Sequence, residues 1–168
     1  YYLYTTFVKP DENARTYVLK SDRPEGPFLF AGRNSMSSHS LDGFDQSCIA
    51  PDIDGEPFVD DDGTAYLFWR RRMAARMTDD WQHLTGDTVV MSTARQGYSE
   101  GPVMFKRKGI YYYIYTLRGN QNYVNAYMMS RQSPLSGFEK PEGNDIFLFS
   151  SIADNVWGPG HGLSLIHI

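Results

Sequence analysis

The sequence predicts an all-β fold of repeated sheets arranged around an axis, a partial β-propeller with about three blades present. Three observations carry that prediction. One short aromatic and aliphatic run recurs: Tyr1-Tyr2-Leu3-Tyr4-Thr5-Thr6, Ala65-Tyr66-Leu67-Phe68-Trp69-Arg70 and Tyr111-Tyr112-Tyr113-Ile114-Tyr115-Thr116. Runs of this length and content form strands buried on both faces, and their recurrence marks a repeat architecture. Aromatic residues reach 15% of the chain, which favours strands and sugar-facing surfaces over helices. No segment sustains a helical period, while polar turns ending in glycine separate the apolar runs.

The units follow in order. Residues 1–33 read as the end of one sheet: the first aromatic run, then Tyr17-Val18-Leu19-Lys20-Ser21, then a turn through Pro24, Gly26, Pro27 and Phe28. Residues 47–93 read as the next sheet. There Pro57-Phe58-Val59 is joined by the Asp60-Asp61-Asp62-Gly63 hairpin to Ala65–Trp69, and Met77–Leu84 occupies the later turn. Residues 94–150 read as the third, with the Lys106-Arg107-Lys108-Gly109 hairpin, the strand Ala126–Ser130 and a Ser-Pro-Leu-Ser-Gly-Phe turn over residues 133–138. Residues 151–162 would begin a fourth. Repeated four-stranded sheets around an axis manage the edge-strand problem, and a β-sandwich is the alternative fold. No linker or low-complexity stretch divides residues 1–162, so they form one domain. The chain opens inside a strand, which suggests an incomplete domain with any targeting segment missing. Residues 163–168 read as a translated sequencing-adapter artefact.

The formal net charge is -4, with 16 basic and 20 acidic residues, which is not the footprint of a nucleic-acid binder. The one basic run, Arg70-Arg71-Arg72, reads as a solvated strand end. A single cysteine, Cys48, excludes an internal disulfide framework. No apolar run approaches the roughly 18 residues of a membrane span. The compartment is not fixed, with a secreted or periplasmic setting favoured over a cytoplasmic one.

Two carboxylates stand out by position. Asp54 lies just upstream of the strand Pro57-Phe58-Val59, and Glu100, in Tyr98-Ser99-Glu100-Gly101-Pro102, lies just upstream of Val103-Met104-Phe105. They hold equivalent places in consecutive units, and equivalent places in neighbouring blades converge on a propeller axis. Two carboxyls brought together there can perturb one another and divide acid and base roles. Asp60, Asp61 and Asp62 read as turn residues, and Asp11, Asp22 and Asp42 as surface residues.

Several motifs then recur in one order: Ile53-Asp54, Phe58-Val59-Asp60-Asp61-Asp62-Gly63, Ser99-Glu100-Gly101-Pro102, Ser133-Pro134-Leu135 with Gly137-Phe138, and Gly158-Pro159-Gly160-His161-Gly162. In that order the sequence resembles glycoside hydrolase family 43 from Tyr1 to Gly162. That family includes α-L-arabinofuranosidases, β-xylosidases, arabinanases and galactosidases. The resemblance implies a five-bladed propeller and an inverting hydrolysis of glycosidic bonds in plant hemicellulose. It implies Glu100 as general acid, Asp54 as the residue that orients the acid and raises its pKa, and His161 as a ligand of a bound cation or its water. It requires no cofactor and leaves room for a structural Ca2+ near the axis.

The family's general base is an Asp in the first blade, upstream of the part that Tyr1 begins, so no residue here takes that role. The chain by itself is then expected to hydrolyse little, and its unpaired blade edges to make it poorly stable or prone to aggregate. Phe44, Trp69 and Tyr98 are candidate sugar-stacking faces, with core packing as the competing reading. The expected partner is an oligo- or polysaccharide, with no nucleic acid and no membrane; the oligomeric state is open, as are the sugar, the linkage, and exo or endo action. A non-catalytic carbohydrate-binding propeller and a protein-interaction propeller are the alternatives.

Overall fold

The computed structural model describes residues 1–8, 13–30, 48–118, 123–149, 151, 153–155 and 158–162. Among these every regular element is a β-strand, and the strands form three sheets, so the fold is all-β, a partial propeller. The first sheet holds β1 (Tyr2–Phe7), β2 (Arg15–Lys20) and β3 (Leu29–Phe30). The second holds β4 (Glu56–Val59), β5 (Ala65–Trp69), β6 (Met73–Met77) and β7 (Leu84–Val90). The third holds β8 (Tyr98–Arg107), β9 (Ile110–Arg118), β10 (Tyr123–Ser130) and β11 (Ile146–Phe149). Each sheet is an antiparallel meander in chain order, so each is closed by local turns and needs no crossover.

The three recurring aromatic runs are β1, β5 and β9. The period-2 geometry of a strand explains why β5 is apolar at every position. Ala65, Leu67 and Trp69 point into a core shared with Val18, Ile49 and Ala50 near the first sheet. Phe68 points the other way, into a core with Met104, Tyr113 and Tyr115 of the third. A sheet with another sheet on both sides buries both faces, and Leu67 and Phe68 are accordingly both fully buried. β1 departs from the expectation of a fully buried strand. It lies at the edge of its sheet, and Leu3 is 44% exposed. Its inward side still docks on the second sheet, where the Tyr2 ring lies 5.5 Å from the Trp81 ring and the Tyr4 hydroxyl donates to the Trp81 carbonyl at 2.7 Å.

The Asp60–Gly63 hairpin does more than turn the chain. Asp62 accepts the Thr64 N–H at 2.8 Å and Gly63 takes φ +84°, as the turn requires. Asp60, however, reaches the third sheet, accepting from Lys106 Nζ at 2.7 Å and from the Tyr111 hydroxyl at 2.6 Å. Burial opposes the charge on Asp60, yet these donors outweigh it and hold the carboxyl below its ordinary range. The pair of sheets is thus tied by a charged clamp as well as by the apolar core. A second buried acid, Asp145, is gripped by the Arg95 guanidinium at 2.7–3.0 Å, which fixes the segment entering β8 against the outer part of the same sheet.

Candidate active site

Asp54 sits in a loop held at both ends by the first sheet. Thr16 is fully buried; its hydroxyl donates to the Asp52 carbonyl at 2.9 Å and accepts the Gly55 N–H at 3.1 Å. A Cβ on Gly55 would lie 2.3 Å from the Thr16 methyl, so only glycine lets the loop approach this closely. The Asp54 N–H reaches the Thr6 hydroxyl at 3.3 Å, and its backbone takes φ +63°, a left-handed conformation that Asp tolerates better than most residues.

The local twist of β8 brings its start to meet this loop. The strand pairs with β9 but shifts register on both sides of Glu100, which stands opposite Thr116. Such bulges re-aim side chains near functional sites. Gly101, with φ +63°, directs its N–H to Asp54 Oδ2 at 3.1 Å. The Asp54 carboxylate is therefore bonded to the peptide that joins Glu100 to Gly101. Its other oxygen, Oδ1, lies 3.6 Å from Nδ1 of His161. The His161 N–H in turn donates to the Thr116 hydroxyl at 2.9 Å, and Asn125, buried beside it, donates to the Pro159 carbonyl at 2.8 Å. A Cβ on Gly101 would come within 2.7 Å of the His161 Cα, so strand and loop are in direct backbone contact there.

Three of the residues read from the sequence thus come together: Asp54, the Glu100 peptide and His161. Glu100 and Asp54 are partly buried, while the His161 side chain is 54% exposed. Trp69 does not join them. It is 3% exposed and packed among Leu67, Ile49 and Met77, so its ring is used by the core and offers no face to a sugar. Tyr98 is partly buried, lines a surface cavity, and has its phenol enclosed; burial pushes that phenol up to about 12. Phe44 lies outside the described residues.

The sequence reading missed Thr16, Thr116 and Glu56. Two threonine hydroxyls in strands give no local signal that distinguishes them from surface residues. Glu56, two residues past Asp54, is a carboxyl that burial holds above its ordinary range, with nearby His161 acting in the opposite sense.

The family model described as glycosyl hydrolases family 43 matches residues 1–166. The chain belongs to this family. It is 30% identical over 146 residues to the β-D-galactofuranosidase xynD of Aspergillus niger, which covers 82% of this chain and 41% of that protein. Among solved structures, a glycoside hydrolase matches with 45% identity and a TM-score of 0.77, over 88% of this chain and 34% of that one. An α-L-arabinofuranosidase from Clostridium thermocellum matches with 26% identity and a TM-score of 0.60, over 88% of this chain and 48% of that one. The chain thus spans less than half the length of each of these relatives.

For this family 43 chain a Ca2+ at the axis would need several oxygen ligands. Among the described residues no three His, Cys, Asp or Glu side chains converge to hold a metal ion, and the His161 ring faces Asp54. No step below passes through a metal.

Proposed function

We propose that the protein containing this chain hydrolyses glycosidic bonds of arabinose or xylose units in plant hemicellulose, with inversion at the anomeric carbon and with Glu100 as the general acid. One observation carries the reading: the Asp54 carboxylate binds the Glu100–Gly101 peptide, so the backbone that bears Glu100 is held against an acid from the adjacent sheet. Family membership and the names of the relatives, a galactofuranosidase and an arabinofuranosidase, support a glycosidic substrate.

In this reading the Glu100 carboxyl gives its proton to the glycosidic oxygen as the bond from that oxygen to the anomeric carbon breaks. Water attacks the same carbon from the opposite face of the ring and loses a proton to a base. Inversion places acid and base about 6.5–9.5 Å apart, leaving room for that water. We assign no residue of this chain as the base. Asp54 holds the start of β8 through the Gly101 N–H and so sets where Glu100 stands. His161, anchored by Thr116, closes the side of Asp54 away from Gly101.

The test is hydrolysis of arabinose- and xylose-containing oligosaccharides by the full-length protein, followed by NMR of the first anomer released. The inverted anomer, lost on Glu100→Gln, is the expected result. Undiminished hydrolysis by Glu100→Gln contradicts the assignment, and binding of the sugars without hydrolysis by the unsubstituted protein would favour a carbohydrate-binding propeller.

A further inference from the structure

The basic run read from the sequence as a solvated strand end does follow β5, with Arg70 and Arg71 exposed, but Arg72 is half-buried. Arg70, Arg71 and Arg72 form the hairpin loop between β5 and β6, with Trp69 paired to Met73 across it. They line a cavity of about 530 Å3 together with Arg95, Tyr98 and Ser99. That volume lies within the ~300–1,000 Å3 typical of small-molecule sites. The cavity adjoins the candidate active site on two sides. Ser99 directly precedes Glu100, and the Arg70 N–H donates to the carbonyl of Ile53, the residue before Asp54, at 3.1 Å.

The arginines here are unequally paired. Arg71 pairs with Asp52 at 2.9 Å and Arg70 approaches the same carboxylate at 3.8 Å. Arg95 is committed to Asp145. Arg72 has no carboxylate within ion-pair distance among the described residues, and its guanidinium makes one long contact, 3.4 Å to the Thr93 hydroxyl. The ion-pair partners of the other three guanidinium groups are Asp52 and Asp145, which leaves the half-buried Arg72 as the lining arginine without a carboxylate partner among the described residues. The backbone holds these side chains at a cost. Arg71 and Arg72 take φ +66° and +65°, where glycine or asparagine would be relaxed. The Met91 N–H binds the Arg72 carbonyl at 2.6 Å and locks the loop to the segment that leads to β8.

We propose that this cavity binds the carboxylate of an acidic sugar, a uronic acid unit carried by the same glycan whose bond lies at Glu100. The proposal rests on the glycosidase reading for the identity of the chain that runs past Glu100. The arginine fork matches a planar carboxylate with two parallel hydrogen bonds, and guanidinium sheds water more readily than ammonium. Arg72 is the anchor, Arg70 and Arg71 contribute field, and Ser99 offers a hydroxyl toward the neighbouring ring.

The experiment uses the full-length protein carrying Glu100→Gln, so that ligand survives, and measures binding by calorimetry. The ligands are a xylo-oligosaccharide bearing one glucuronic acid unit and the methyl ester of the same compound, which is neutral and nearly the same shape. The acid is expected to bind about tenfold tighter than the ester at low salt, as for one charge-assisted contact. The advantage should shrink as salt screens the site, and Arg72→Gln, with its thermal midpoint checked, should remove it. Equal affinity for acid and ester, an advantage insensitive to both salt and Arg72→Gln, or no binding of either ligand overturns the proposal. The salt series on unsubstituted Arg72 gives an answer even if Arg72→Gln fails to fold. Absence of hydrolysis by the protein with Glu100 intact would defeat the glycosidase reading alone, because the ratio of acid to ester binding is read without turnover.

Discussion

The Oδ2 of Asp54 accepts the N–H of Gly101 at 3.1 Å, and this bond joins the loop before β4 to the strand that carries Glu100. It depends on Gly101 having no side chain. The residue takes φ +63°, and a Cβ would press on the His161 Cα at 2.7 Å, a backbone atom that has nowhere to move without displacing the loop. Gly101→Ala is therefore expected to destabilise the protein by about 2 kcal/mol or more and to depress hydrolysis along with stability. Chemical unfolding of the variant checks the first part. A stability equal to that of the parent would show that strand and loop are not in contact.

The Asp60 clamp between the second and third sheets makes a separate prediction. Tyr111 is 7% exposed and its hydroxyl donates to Asp60 Oδ2 at 2.6 Å. Tyr111→Phe keeps the ring against Phe58 and removes the hydroxyl's bond to an ionised carboxylate, so a loss of about 1.5–3 kcal/mol is expected. The clamp involves none of the residues placed at the candidate active site, so kinetic constants measured well below the unfolding temperature should be unchanged.

Acid should weaken the fold through Asp145. Its side chain has no accessible surface, and the Arg95 guanidinium holds its carboxyl below the ordinary carboxylate range, against the opposing effect of desolvation. A group depressed in the folded state stabilises the fold above its unfolded-state pKa, about 3.9 for Asp, and that contribution is lost as pH falls through the folded-state value. Unfolding free energy measured from pH 6 downward should therefore drop below about pH 4, and the drop should be smaller in Asp145→Asn, which has no carboxyl there to titrate. An identical pH profile for parent and variant would remove Asp145 from the account.

Much of this was legible in the sequence, and for physical reasons. A strand packed on both faces must be apolar at consecutive positions, so β5 and β9 announce themselves. A hairpin needs a residue with positive φ, so Gly63 and Gly109 mark their turns. The approach of Asp54 to the Glu100–Gly101 peptide follows from equivalent places in consecutive repeats meeting in space. What stayed hidden depends on contacts between distant segments. Asp60 looks like a turn residue until Lys106 and Tyr111, more than forty residues on, are brought to it. Trp69 looks like a sugar platform until the neighbouring sheet covers it. Arg72 looks solvated until the segment over residues 93–99 folds across the hairpin to make a cavity.

The central claim is that Asp54 acts through Glu100 in one site, and a double-mutant cycle on the full-length protein tests it most directly. Glu100→Gln should lower kcat by about 10²–10⁴-fold, the usual worth of a general acid. Asp54→Asn alone should cost on the order of 10–10²-fold, as expected when a reacting group is displaced rather than removed. If Asp54 works by placing Glu100, adding Asp54→Asn to Glu100→Gln should cost almost nothing more. Full additivity of the two losses would mean that the two carboxyls serve independent purposes and would contradict the account.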